Sequence, residues 1–234
     1  MIPIIQNKRR NILVNALAVP IGDIGIISRY TFEDNTNDVK GSNNGIPTDI
    51  TYVTEGVSKM GNFNGTTSKV NIPTKILDNL DGFSISVLCK MSNTSLEYRV
   101  ISLDDNSTCP YISFRLNQAG FANRIYVFVY GVNKSIQLIS SGYIITDLTH
   151  ITLTVKKNGN CKLYVNGNLE DTDIITTFRS LGDTLQNHIG VSRAANYNFT
   201  NGLIDEVIFW NKELTQEDIT KIATDQLNGI DIDP

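Results

Sequence analysis

Hydrophobic and polar residues alternate over short stretches through most of the chain. The alternation is regular in residues 125–130 and 151–155, where aliphatic side chains occupy every second position. Because successive side chains of a strand point to opposite faces, one face of each stretch is predicted to lie in a core and the other to be exposed. The predicted strands are Ile26–Glu33, Lys69–Ile72, Phe83–Met91, Tyr98–Leu103, Tyr111–Leu116, Arg124–Tyr130, Ser135–Ser140, His150–Lys156, Cys161–Val165, His188–Ser192 and Leu203–Trp210.

Asn-Gly pairs separate many of these strands, at residues 64–65, 158–159, 166–167 and 201–202. Asn-Gly tolerates the positive φ that two-residue hairpin turns require, so these pairs predict antiparallel connections. About eleven short antiparallel strands fit a two-sheet sandwich, an all-β fold. A single helix of about ten residues is predicted near the C-terminus, because a capping box at residues 215–218 precedes apolar residues at helical spacing.

The first 25 residues do not show this pattern of alternating strands and turns. They combine aliphatic residues and prolines with three adjacent cations, Lys8–Arg10. A basic run before an apolar stretch resembles a signal peptide, but Asn11 and Asn15 interrupt the stretch, so no secretion signal is expected. An apolar segment needs a surface that covers it, which predicts an N-terminal docking arm, residues 1–26. The predicted domain spans residues 27–227, and residues 228–234 form a short acidic tail.

Composition excludes several classes of protein. The chain has 234 residues, 41% of them hydrophobic and 19% charged, which favours a folded domain over a disordered one. Its net charge is −4 and its cations are scattered, so nucleic acid is not an expected partner. No run approaches the roughly 18 apolar residues of a membrane span. The three cysteines form no CxxC pair and no cluster with histidine, which predicts free thiols rather than a disulfide framework or a zinc site.

Seven short motifs lie in register along residues 27–224. They are Tyr30–Asp34 with Asp38 and Gly41, Gly61–Gly65 with Lys69–Pro73, Phe83–Val87, His150–Val155 with Leu163–Gly167, Ile189–Gly190, Gly202–Val207, and Trp210–Asn211 with Leu214–Ile219. Together they resemble the laminin G-like jelly rolls of the concanavalin A-like lectin/glucanase fold. The resemblance implies a two-sheet jelly-roll sandwich, and it leaves function open, because this fold supports lectins, adhesion modules, hydrolases and scaffolds.

Calcium is the cofactor that the resemblance implies. Oxygen-bearing side chains are dense after the first strand, and calcium takes six to eight oxygen ligands. In the family, the first strand lies close to the closing strand, so a carboxylate of the closing strand could join them. The alternative is a solvated acidic turn without a metal. The predicted metal ligands are Glu33, Asp34, Asp38 and Asp205.

Catalysis finds little support in the sequence. Glucanases of this fold carry Glu-x-Asp-x-(x)-Glu on one strand, which places two carboxylates on the same face, and no predicted strand here contains that pattern. No nucleophile triad, phosphate loop or dinucleotide fingerprint is present. The protein is therefore expected not to be an enzyme.

Recognition of a cell-surface glycan is the function expected first. Glycan sites combine aromatic faces with planar Asn and Arg groups, because sugars present an apolar CH face and many hydroxyls. A merely polar turn is the alternative at each position. The predicted ligand-binding residues, all outside the regular strand pattern or at its edges, are Phe121, Arg124, Tyr143, Arg193, Asn196, Tyr197 and Asn198.

The predicted arm and the lectin-like body together suggest display on a larger assembly. We expect a module on a phage or virus surface, as a capsid decoration, fibre or tail adhesin, with residues 1–25 bound to other structural proteins of the same particle. A purely structural virion protein without a glycan ligand is one alternative. A secreted bacterial adhesin or carbohydrate-binding module is another.

Overall fold

Two antiparallel β-sheets pack face to face in the computed structural model, which describes residues 25–74, 76–78, 80–93, 96–104, 112–117, 122–132, 134–143, 145–178, 186–192 and 198–232. The predicted arm, up to residue 24, lies outside the described residues. The elements are β1 (Ile26–Tyr30), β2 (Ile46–Thr48), β3 (Thr51–Glu55), β4 (Ser58–Asn64), β5 (Lys69–Ile72), β6 (Gly82–Met91), β7 (Tyr98–Asp104), β8 (Ile112–Leu116), β9 (Ile125–Val129), β10 (Ile136–Ile139), β11 (Thr149–Lys156), β12 (Asn160–Val165), β13 (Asn168–Ile174), β14 (Gln186–Ile189), β15 (Asn201–Trp210) and α1 (Gln216–Leu227).

The first sheet has eight strands in the order β13-β12-β11-β6-β15-β4-β3, with β1 also paired to β15. The second sheet has seven strands in the order β10-β9-β8-β7-β14-β5-β2. The all-β sandwich with one helix is therefore confirmed for the described part of the chain. β2, β3, β4 and β13 are strands that the sequence pattern did not predict.

The core lies between the sheets and follows the predicted alternation. Ile151, Leu153 and Val155 of β11 are fully buried, and so are Val127 and Val129 of β9. Both described cysteines, Cys89 and Cys161, are buried free thiols in this layer, as predicted, and burial raises the pKa of each to about 12.

The helix α1 covers the outer face of the eight-stranded sheet with a second apolar cluster. The Thr215 hydroxyl accepts a hydrogen bond from the Asp218 amide, and the Asp218 carboxylate accepts one from the Thr215 amide, so the predicted capping box is present. Ile219 and Ile222 then pack against Trp210. The predicted acidic tail belongs to this layer as far as Ile232, which is buried in the same cluster. Among the described residues, no helix has the length and apolar character required to cross a membrane.

One predicted turn is wrong. Asn201-Gly202 lies inside β15 rather than between strands. A Cβ at Gly202 would lie 2.3 Å from the backbone oxygen of Lys90 on the neighbouring strand. The glycine therefore permits close approach of two strands, whereas Asn166-Gly167, with φ of 49° and 83°, forms the predicted turn between β12 and β13.

Candidate functional site

Asp38, the first of the predicted metal ligands, organises the loop that follows β1. Its Oδ1 accepts hydrogen bonds from the backbone amides of Arg29, Lys40 and Gly41, and its Oδ2 accepts one from the amide of Asn43, all at 3.0 Å. Burial alone would raise the pKa of Asp38, but these four bonds lower it below its ordinary value. Both oxygens are thus used in holding the loop.

Glu33 and Asp34 both contact Lys59 of β4. Glu33 Oε1 accepts a hydrogen bond from the backbone amide of Lys59 at 3.0 Å, and the Asp34 carboxylate pairs with the Lys59 ammonium. These contacts are exposed, and an exposed ion pair contributes at most about 1 kcal/mol to folding.

Asp205 lies in a β-bulge of β15, on the outer face of the eight-stranded sheet, and only 2% of it is exposed. Its Oδ1 accepts a hydrogen bond from the Glu206 amide at 2.8 Å. Burial, together with the negative charge of Glu206, raises the pKa of Asp205 to about 9. The carboxyl is therefore protonated at neutral pH. It lines a cavity of about 360 Å³ together with Glu33, Leu88, Val57 and Gln226.

Arg29 supplies a positive charge within the same cavity. Its Nε and Nη2 donate to the two carboxylate oxygens of Glu206 at 2.8 and 2.7 Å, and Nη2 also donates to Asp231 Oδ1 at 2.7 Å. Burial alone would lower the pKa of Arg29, but the hydrogen bonds and charges of Glu206 and Asp231 raise it above its ordinary value. The guanidinium joins β1, β15 and the C-terminal tail.

These contacts do not form a calcium site from the four predicted ligands. Calcium needs six to eight oxygens around one point. Asp38 is engaged by backbone amides and Asp34 by a lysine, and of the four predicted ligands only Glu33 and Asp205 line the same cavity. Within the described ranges, no group of three or more His, Cys, Asp or Glu side chains is placed to hold a metal ion. The residues thus do not fit a shared cation in this arrangement.

The predicted ligand-binding residues divide into two groups. Phe121, Arg193, Asn196 and Tyr197 lie outside the described residues. Arg124, Tyr143 and Asn198 lie at one end of the seven-stranded sheet, where β7 and β9 begin and β8 ends. Asn198 accepts a hydrogen bond from the Arg99 amide at 3.2 Å, Arg124 precedes β9, and the Tyr143 amide donates to the Asn123 oxygen at 2.7 Å.

Tyr143 has a structural contact at this end. Its hydroxyl donates to Glu170 Oε1 at 2.5 Å, and the Ser141 amide donates to Glu170 Oε2 at 2.9 Å. Burial and the Glu170 contact raise the pKa of Tyr143 to about 12. Because Glu170 belongs to β13, this contact links the two sheets along their shared edge.

An aromatic row, Tyr126 and Phe128 of β9 and Tyr130 directly after it, was not among the predicted ligand-binding residues. The three residues alternate with the fully buried Val127 and Val129; Tyr126 is itself buried, whereas Phe128 and Tyr130 are half-buried, and Tyr130 also packs against the core. The rings of Phe128 and Tyr130 stack with centroids 6.2 Å apart. The alternation in residues 125–130 contains this signal, because it places the three aromatic residues on one face of the strand.

Arg115 of β8 packs over the aromatic row. Its Cζ atom lies 5.5 Å from the Tyr126 ring centroid and 5.3 Å from the Phe128 centroid. Distances below about 6 Å indicate cation–π attraction. Its Nε also donates to the Ser113 hydroxyl at 3.2 Å. Arg115 and Phe128 are both half-buried, so part of each is open to solvent.

Polar side chains continue this face toward the opposite edge of the sheet. The register pairs Phe128 with Ser113, Ser113 with Ser102, Ser102 with His188, and His188 with Asn71. Burial and the charge of Lys69 lower the pKa of His188 to about 4, so the ring is neutral at physiological pH. The two serines and His188 are buried, and the Ser102 hydroxyl donates to the buried Asp104 carboxylate at 2.9 Å. The open part of this face is therefore the aromatic side around Phe128.

Comparisons with known proteins agree with this architecture. Domain 4 of AbnA, a GH43 extracellular arabinanase from Geobacillus stearothermophilus determined with arabinotriose, superposes with a TM-score of 0.70 at 20% identity, over 85% of this chain and 98% of that domain. The binding domain of Paraclostridial Mosquitocidal Protein 1 gives 0.70 at 19% identity, over 86% of this chain and 52% of the other.

The ligand-binding domain of botulinum neurotoxin serotype D, determined with N-acetylneuraminic acid, gives a TM-score of 0.67 at 21% identity, over 86% of this chain and 51% of the other. The chain thus spans about half the length of these toxin domains. No curated protein sequence matches it. A laminin G family model, described as the concanavalin A-like lectin/glucanases superfamily, matches residues 64–220. Because that match covers more than half of the sequence, the chain belongs to the concanavalin A-like lectin/glucanase superfamily.

Proposed function

We propose that this protein is a non-catalytic glycan-binding module whose contact surface is the aromatic row on β9 with Arg115 beside it. The observation that carries the proposal is the half-buried Phe128 ring, which stacks on Tyr130 and lies under the Arg115 guanidinium. An aromatic face packs against the CH face of a sugar, while guanidinium and amide groups bind its hydroxyls. Gln137, which pairs with Phe128 from β10 and is exposed, supplies such an amide.

The similar solved structures support a binding role. One of them was determined with arabinotriose and another with N-acetylneuraminic acid, and each superposes over most of this chain. A fold alone does not fix a function, so the proposal depends on the residues of the face. The absence of the Glu-x-Asp-x-(x)-Glu pattern of glucanases from the sequence supports binding without catalysis.

The test is a glycan array probed with the full chain, followed by calorimetry on the best ligand. Phe128→Ala should weaken binding at least tenfold, because it removes the partly exposed ring that a sugar would cover. Leu169→Ala, a loss of apolar surface on β13 of the other sheet, is the matched control and should bind normally. An array without any ligand, or equal binding by both variants, would contradict the proposal.

We also propose display on a larger assembly, such as a virion or bacterial surface, through the edge formed by β2 and β3. Ile46, Val53 and Val57 are exposed along this edge. The opposite edge also exposes apolar residues, Leu169 and Ile174, but there the carboxylates of β13 accept hydrogen bonds from the backbone amides of Ile139 and Ser141. An open apolar strand edge favours pairing with another chain, whereas an edge capped by charged side chains resists it.

Light scattering after size exclusion tests whether copies of the full chain associate at this edge. Ile46→Lys should lower the fraction of oligomer, because a charge on an edge strand opposes strand pairing. Leu169→Lys, on the capped edge, is the control. A chain that is monomeric at every concentration, or an oligomer indifferent to both variants, would contradict association through β2 and β3.

A further inference from the structure

The cavity beside Asp205 has an aliphatic rim. Val39, Val57 and Ile230 all line it, and all three are exposed. They come from three separate segments, which are the loop after β1, the turn between β3 and β4, and the segment after α1. Exposed apolar residues gathered at the mouth of a cavity mark a surface that a ligand or a protein segment covers.

The floor of this cavity carries more carboxylates than cations. Among the described residues that line it, Arg29 is the one cation, whereas Glu33, Glu206 and Asp231 contribute carboxylates in addition to the protonated carboxyl of β15. Lys59 lies close by, since its amide binds Glu33, but its ammonium pairs with a further carboxylate. This balance favours a positively charged occupant.

One buried polar atom of the floor lacks a partner. Asp205 accepts a hydrogen bond from the Glu206 amide through Oδ1 at 2.8 Å, whereas its Oδ2 bonds to no described residue. The side chain lines the cavity although only 2% of the residue is exposed. A buried polar group without a hydrogen bond is unfavourable, and a peptide backbone offers both donors and acceptors for it.

The chain itself contains a segment whose chemistry matches this cavity. Three cations, Lys8–Arg10, are followed by Asn11 and then by the aliphatic residues 12–14. The cations complement the carboxylates of the floor, and the aliphatic side chains complement the rim. These residues lie outside the described part of the structure, so the match is between their sequence and the described surface.

The point where this segment joins the sandwich is close to the cavity. The Gly25 oxygen accepts a hydrogen bond from the Asn211 amide at 2.7 Å, directly before β1. Arg29 of the same strand lies roughly 13 Å further along, and residues 11–24 span up to roughly 50 Å when extended. A segment joined in this way reaches its own cavity at an effective concentration on the order of millimolar, above that of a second copy in dilute solution.

We propose that residues 8–14 bind in the cavity beside Asp205 of the same chain, as an extended basic and aliphatic peptide. The carboxylates of the floor bind Lys8–Arg10, the rim covers residues 12–14, and a backbone group of the segment pairs with Asp205 Oδ2. The docking surface of the arm is then its own domain rather than another protein of a particle. This inference is independent of the proposed glycan-binding surface, which lies on the other sheet.

Disulfide formation in the full chain tests this placement. Asn11→Cys combined with Ile230→Cys should form a disulfide within one chain under mild oxidation, because docking brings the two thiols together. Asn11→Cys with Val132→Cys is the matched control, since Ile230 is 54% and Val132 56% exposed, but Val132 follows β9 in the other sheet. We expect at least about tenfold more intrachain product from the Ile230 pair, measured by peptide mass. Both pairs contain the same native thiols.

A change of charge tests the electrostatic part of the match. In the Asn11→Cys and Ile230→Cys background, Glu33→Lys should lower the disulfide yield by about fivefold or more, because it reverses an exposed charge that lines the cavity. Asp81→Lys makes the same change at a fully exposed carboxylate that does not line the cavity, and it should keep the yield.

Three outcomes would overturn the proposal. A disulfide chiefly between two chains, seen as a dimer on a non-reducing gel at roughly 10 µM protein, would assign the cavity to the arm of a second copy. Equal yields from the Ile230 and Val132 pairs would show that the arm does not bind here. Equal yields from Glu33→Lys and Asp81→Lys would remove the charge match on which the proposal stands. Because no glycan takes part, each of these results leaves the proposed glycan-binding function untouched.

Discussion

Replacement of Asp205 by asparagine should stabilise the protein at neutral pH. Only 2% of Asp205 is exposed to solvent. The pKa of its carboxyl is about 9 in the folded state, against an ordinary value of 3.8. The folded protein keeps the proton while the unfolded chain releases it above pH 3.8. Folding stability from this group is thus fully present below about pH 4 and is lost progressively as pH rises to about 9.

The size of the effect follows from the same two values. Each unit of difference corresponds to about 1.4 kcal/mol, so at pH 7 the carboxyl costs about 4 kcal/mol relative to its protonated form at low pH. Asparagine has nearly the same shape and cannot ionise, so Asp205→Asn should recover a large share of this amount. Between pH 7.0 and 8.5, the unaltered chain should lose about 2 kcal/mol that the variant keeps.

Urea unfolding at pH 7.0, 7.75 and 8.5 measures this difference. The pH range of the measurement lies above pH 7 because of the two histidines. Burial lowers the pKa of His150 to about 3, and burial together with the charge of Lys69 lowers that of His188 to about 4. Both histidines favour the folded state increasingly as pH rises to about 6.5, which would mask the opposite slope of Asp205.

Asp81→Asn is the control, since the Asp81 side chain is fully exposed and its substitution should leave the pH dependence unchanged. Parallel stability curves for Asp205→Asn and the unaltered chain would refute the reasoning. They would mean that Asp205 ionises in the folded protein, and that the charge of Arg29 stabilises the carboxylate.

Three further predictions concern the described fold. Gly190→Ala should cost about 2–4 kcal/mol by urea unfolding, because Gly190 has φ of 87° and a Cβ there would lie 2.2 Å from the buried Phe63 ring; a loss below about 1 kcal/mol would contradict the close contact. Thr215→Ala should cost about 1 kcal/mol through loss of the capping box, measured in the same way, and unchanged stability would show that α1 is held by packing alone. Calcium chloride or a chelator should shift the melting temperature by less than about 1 °C, and a larger rise with calcium would show that Asp38 and its neighbours exchange their present partners for the ion.

The sequence pattern predicted the strands whose alternate residues face the core. Lys69–Ile72 agrees at both ends with β5, and the stretches around β6, β7, β11 and β15 agree within two residues. The four missed strands have a different composition. β13 is rich in acidic residues and β3 in polar ones, because both are edge strands with largely exposed faces. A strand that buries few apolar residues has little hydrophobic signal to detect.

The candidate site was harder to predict, because it depends on contacts between distant residues. A dense run of oxygen-bearing residues after β1 suggested one cation site, yet Asp38 turns toward backbone amides and Asp34 toward Lys59. The packing of Arg115 over the rings of β9 arises only from the register of β8 and β9, which no local pattern specifies.

Arg29 also determines when the fold can be completed. Its partners Glu206 and Asp231 lie 177 and 202 residues further along the chain. During synthesis, the guanidinium of Arg29 lacks both partners until residue 231 has left the ribosome, since a buried charge needs its counterions. Contacts of such long sequence separation are slow to form. Closure of the outer layer therefore waits for residues 206–231, and without Asp231 one of the partners that hold β1 in place would be missing.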